Sequence, residues 1–194
     1  MIHYLRSKRV TIGRRSFTLI ELLVSIGIVA VLSTVAIVTL NPAELFKQAR
    51  DSNRIASLDA LRKAITLYGA DKGFSSIGTP YQLYISLPDD NSPTCDTLKN
   101  AGSLPALPGP PQQPQQWEYR CATSQNLRKT DGTGWIPIDF GAIGAISVLP
   151  IDPINKVDVS DPIQNYFMSY ATDGSGRFEV NIKMESVKYG FGGQ

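Results

Sequence analysis

Histidine is all but missing from this chain: the single copy, His3, stands in a basic stretch at the N-terminus. The rest of the sequence therefore offers no Ser-His-Asp or Cys-His nucleophile pair and no imidazole-based metal site. No glycine-rich loop ends in Gly-Lys-Ser/Thr, so the phosphate-cradling loop of nucleotide hydrolases is missing too. Carboxylates alone can run acid–base chemistry, but no spacing singles out a pair. Cysteine occurs only at Cys95 and Cys121. Charge is absent from one long stretch: the 24 residues from Phe17 to Leu40 hold Glu21 and no other ionisable side chain.

A helix of that length is about 36 Å long, enough to cross a hydrocarbon core of about 30 Å. A carboxylate just inside such a run costs several kcal/mol unless partnered, which marks Glu21 as a functional candidate. The plainer reading of Glu21 is an acid near a helix start, reaching the interface and favoured by the helix dipole. Residues 1–16 carry Arg6, Lys8, Arg9, Arg14 and Arg15 and no acid; without them Lys+Arg falls from 19 to 14 against 17 acids, and a net +2 becomes −3. A basic flank before an apolar run keeps the N-terminus in the cytoplasm and sends the C-terminal part across. The run is longer than a cleavable secretory core and lacks its small-residue cleavage site, so retention in the cytoplasmic membrane as a single pass is expected. The acidic remainder has no basic stripe, and Arg128-Lys129 is too small a patch, so no nucleic-acid partner is expected.

The string Arg14-Arg15-Ser16-Phe17-Thr18-Leu19-Ile20-Glu21 and the apolar run behind it resemble the N-terminal signature of type IV pilins and the related type II secretion pseudopilins. The likeness is close from Arg14 to about Leu40 and looser, in pattern only, to Lys72. It implies cleavage between Ser16 and Phe17 by a prepilin peptidase and N-methylation of Phe17. It also implies that Glu21 meets the new amine of a neighbouring subunit, where a wrong stagger would leave both charges bare. The partners implied are other copies and other pilins, the lipid bilayer, a membrane platform and a cytoplasmic assembly ATPase. The C-terminal domain would lie outside the cytoplasm, then in a surface or periplasmic filament. The family usually has Gly where this chain has Ser16. That departure keeps a second reading open: a signal-anchored extracytoplasmic binding domain that never polymerises. A third is an anchored hydrolase using carboxylates.

The rest of the chain divides into a transmembrane or assembly helix (17–41), an amphipathic helix (42–73) and a β-rich domain (74–194). Gly27, Ala30, Ser33 and Ala36 recur every three residues, as close helix approach in lipid permits and as ordinary tolerance of small residues also explains. Pro42 kinks or restarts the helix. Beyond it, Ile55, Leu58, Leu61, Ile65 and Tyr68 form one stripe, and Ala49, Ala56, Ala60, Ala64 and Leu67 a neighbouring one. Asp51 with Arg54, and Asp59 with Lys63, are expected to pair on the polar side for tenths of a kcal/mol. Gly73 suits a helix stop. Arg177–Glu185 alternates strictly, Gln164–Ala171 can pair with it through a 172–176 turn, and Trp135–Phe140 reads as a further strand. The fold class expected is α+β: a long N-terminal helix whose outer half covers a small antiparallel sheet. That agrees with the pilin-like fold the resemblance implies.

Two features concern the outer domain. A Cys95–Cys121 bridge would close a loop of about 26 residues, worth about 3 kcal/mol in the chain-entropy model. Two free thiols are the other reading. A Pro/Gln-rich loop, residues 104–116, lies inside that span. Asp152, Asn155, Asp158 and Asp161 place oxygen ligands at short loop spacing that suits Ca²⁺, as in the calcium site of major pseudopilins. No residue-level motif matches, and Asp152-Pro153 and Asp161-Pro162 are also plain turn formers. No other cofactor is expected.

Overall fold

A computed structural model describes residues 17–107, 116–161 and 164–190. Ser16, the rest of the leader and residues 108–115 of the Pro/Gln-rich loop lie outside them. The chain falls into two compact units, Met1–Ala43 and Glu44–Gln194.

The first unit is built on α1 (Leu19–Leu40), a helix long and apolar enough to cross a bilayer. None of its side chains in the Leu19–Ile37 window is buried within the chain. The hydroxyls of Ser25, Thr34 and Thr39 donate to carbonyls three or four residues back, so they carry no unmet polarity. The helix stops at Asn41, which takes up the left-handed conformation (φ 41°, ψ 73°) that Asn tolerates better than most residues. Pro42 opens α2 (Pro42–Lys72), where its missing N–H costs nothing. Gly73, with φ 93°, ends α2, and its N–H donates to the Gly69 carbonyl.

In the second unit α2 covers a sheet of four short strands: β1 (Gln82–Ile85), β2 (Glu118–Cys121), β3 (Met168–Thr172) and β4 (Phe178–Ile182). Their order is β2-β1-β3-β4. β1–β3 and β3–β4 run antiparallel, but β1–β2 is parallel, so the sheet is mixed and not wholly antiparallel as expected. The reason lies in the connection. The stretch between β1 and β2 carries a short helix, α3 (Asp96–Asn100), and is long enough to return the chain in the same direction.

Period-two alternation gives each face its own core. Tyr84, Met168, Tyr170, Phe178 and Val180 join Leu61, Ala64 and Ile65 of α2 on one side. Leu83, Ile85 and Tyr119 join Leu87, Cys95 and Leu98 on the other. Trp135–Phe140 is not a strand. Pro137 removes a ladder donor, and Trp135, Ile136, Ile138 and Phe140 are all buried, so the segment fills the α2-side core as irregular chain. β3 starts later than expected because Tyr166 pairs with Lys156 instead. The Thr172–Gly176 turn does join β3 to β4.

Cys95 and Cys121 are disulfide-bonded, with Cα atoms 5.4 Å apart. The bridge ties the head of α3 to the end of β2 across 26 positions. Replacing both cysteines by serine is expected to cost about 3 kcal/mol, read as a lower midpoint in urea unfolding of the detergent-solubilised chain.

Candidate functional site

The N-terminal residues of α1 form a capping box. Thr18 is the N-cap, and the Glu21 backbone N–H donates to its hydroxyl oxygen at 3.3 Å. The Glu21 carboxylate reaches back to accept the Thr18 backbone N–H and hydroxyl, each at 2.8 Å. Two orphan donors of the first turn are thereby satisfied reciprocally. Glu21 is thus held by its own helix end, one residue from Phe17, whose ring is exposed. Thr18 escaped the reading of the sequence, although Thr18-Leu19-Ile20-Glu21 has the Ser/Thr-x-x-Glu spacing that signals such a box.

Asp152 belongs to a different arrangement from the one its loop suggests. Arg54 of α2 is fully buried, and its guanidinium donates to both Asp152 oxygens, at 2.7 and 2.9 Å. The same group donates to Asp51 at 2.7 Å and to Glu185 at 3.3 Å. Asp51 is buried as well, and accepts the backbone N–H groups of Glu185 and Ser186 and the Ser186 hydroxyl. Arg50 adds a second cation on Glu185. The pair expected on the polar surface of α2 is therefore a buried knot joining the helix, the Asp152 turn and the chain after β4. Asp59–Lys63 does stay exposed, at 2.6 Å. Burial pushes the Asp51 carboxyl up, but the hydrogen bonds from Ser186, Arg54 and Glu185 outweigh it and hold Asp51 below its ordinary value. The hydrogen bond from Arg50 does the same for Glu185, against its partial burial.

The four residues considered for calcium have separate partners. Asp152 also accepts the N–H of Ile154 in its own turn. Asn155 exchanges hydrogen bonds with Ser86. Asp158 holds the Ser160 and Asp161 turn, and Asp161 accepts from Gln164. Among the described residues no three His, Cys, Asp or Glu side chains gather as a metal-binding group. The Arg54 guanidinium meets both oxygens of Asp152.

Arg54→Met should destabilise the protein by about 3–5 kcal/mol at neutral pH, because it strands buried carboxylates. The pH dependence has a definite sign. Asp51 and Glu185 have depressed folded values, so their stabilisation is present above their unfolded values of 3.8 and 4.5 and is lost as pH falls through the folded ones. The thermal stability of the wild type should fall below about pH 4, whereas the deficit of Arg54→Met should shrink there as its bare carboxylates protonate.

No curated protein and no solved structure matches this chain. One family model does, over residues 13–37, a segment spanning the expected cleavage position, the capping box and most of α1. It is the prokaryotic N-terminal methylation motif, and the chain therefore carries the processing signature of type IV pilins and pseudopilins at the head of a helix fit to cross a membrane.

Proposed function

We propose that the protein is a structural subunit of a type IV pilus or a type II secretion-type pseudopilus. The observation that carries this reading is the methylation motif at residues 13–37 leading into a helix long and apolar enough to cross a membrane. A prepilin peptidase removes residues 1–16 and methylates Phe17, and the subunit then waits in the cytoplasmic membrane with its sheet domain outside. Cleavage leaves an ammonium on Phe17, beside the Thr18 N–H that Glu21 now holds. In a filament the carboxylate exchanges that cap for the ammonium of a neighbouring subunit, which sets the axial stagger in a medium of low dielectric. A cytoplasmic ATPase and a membrane platform drive the extraction. The role is structural rather than enzymatic.

Ser16, in place of the usual Gly, favours one second reading: a signal-anchored extracytoplasmic domain that keeps its leader and stays monomeric. Replacing Glu21 separates the two. Under the first, Glu21→Ala should leave membrane insertion and the level of protein unchanged while surface or periplasmic filaments fall at least about tenfold, the loss of a charge pair of more than 1.4 kcal/mol. Filaments that persist at wild-type level in Glu21→Ala would remove Glu21 from assembly. Failure to find filaments in the wild type as well would favour the anchored domain.

A further inference from the structure

One end of the sheet carries a cleft that filament assembly leaves unexplained. β1 and β2 both start there, and the β3–β4 turn closes it. Its volume is about 370 Å³, and its walls include Tyr81, Trp117, Thr172, Arg177, Phe178 and Glu179. Tyr81 and Trp117 meet edge to face, with centroids 5.8 Å apart and planes at 69°, so the two rings form a corner. Both are half-buried.

Three features set this corner apart from ordinary surface. Tyr81 has φ 63°, a left-handed conformation that a bulky residue rarely adopts. The Glu118 N–H bond to the Tyr81 carbonyl holds it there, and strain of this kind persists where surrounding structure imposes it and gathers at binding sites. Second, among the described residues the Trp117 indole N–H and the Tyr81 hydroxyl make no hydrogen bond, and the Arg177 guanidinium, though attracted by the Asp173 carboxylate, donates no hydrogen bond. Third, the rim mixes signs. Asp173 is used by its own turn, which accepts from Ser175 and Arg177 N–H groups, but Glu179 spends only one oxygen, on Asn181.

We propose that this cleft binds a sugar residue of a glycan. A cation would meet Arg177 and an anion would meet Glu179, so the rim suits a neutral ligand. Sugar hydroxyls both donate and accept, matching indole, phenol and guanidinium donors on one side and a carboxylate on the other. The apolar C–H face of a pyranose carries partial positive charge and fits the negative face of an aromatic ring. An open, mostly apolar pocket with a few convergent polar groups is the usual form of a small-ligand site.

The test is saturation-transfer NMR on the full chain in a detergent without a sugar headgroup, such as lauryldimethylamine oxide. The probes are cellobiose, maltotriose and N,N′-diacetylchitobiose. Transfer to at least one of them is expected, with an affinity reduced at least about tenfold in Trp117→Ala and in Arg177→Ala. Both side chains are at least partly solvent-exposed, so the melting temperature should hold; if Trp117→Ala unfolds, the exposed Arg177→Ala decides. Tyr81→Gly keeps the backbone conformation, removes one ring and should weaken binding too. No transfer to any of the three sugars, or transfer undiminished in Arg177→Ala, would overturn the proposal. The result does not depend on whether the chain polymerises.

Discussion

α1 presents apolar side chains on every face, and among the described residues none from Leu19 to Ile37 is buried. That constraint shapes everything else. Such a surface is stable only against lipid or against other helices of the same kind. The hydroxyls of Ser25, Thr34 and Thr39 bond back to the helix, and Glu21 is the one ionisable side chain on it. Its capping box satisfies that carboxylate in the isolated chain. Under the proposed function, a subunit built this way can rest in a membrane without a partner and still have a charge to offer when one arrives.

The second unit holds its own core. α2 supplies Leu61, Ala64 and Ile65 to one face of the sheet, and the disulfide-tethered segment with α3 covers the other. The Arg54 knot fastens the N-terminal half of α2 to two segments distant in sequence. A buried ionic knot is not a cheap source of stability compared with apolar packing, but it fixes one arrangement of helix, turn and C-terminal segment, because any slip strands a charge.

The sequence was most legible where one short string carries both chemistry and geometry. Pro42 and Gly73 could be placed from local rules alone, since proline chemistry and left-handed glycine act within a few residues. The hairpin of β3 and β4 was visible for the same reason. Arg54 was misjudged because its main partner, Asp152, lies 98 positions away, so helical spacing suggested only Asp51 and a wet surface. β1 and β2 are four residues each, too short for alternation to stand out, and their parallel pairing depends on a long connection. Trp135–Phe140 alternates in the sequence, and Ile136, Ile138 and Phe140 are buried, but Pro137 removes a ladder donor. Thr18 was readable in principle, and the apolar context drew attention away from its cap.

The central claim is that residues 13–37 are read by a processing enzyme, and the intact mass of the protein from its own membranes tests it most directly. The account predicts loss of residues 1–16 and one added methyl on Phe17. A full-length mass would contradict it, and would mean that Ser16 is not accepted at the cleavage position.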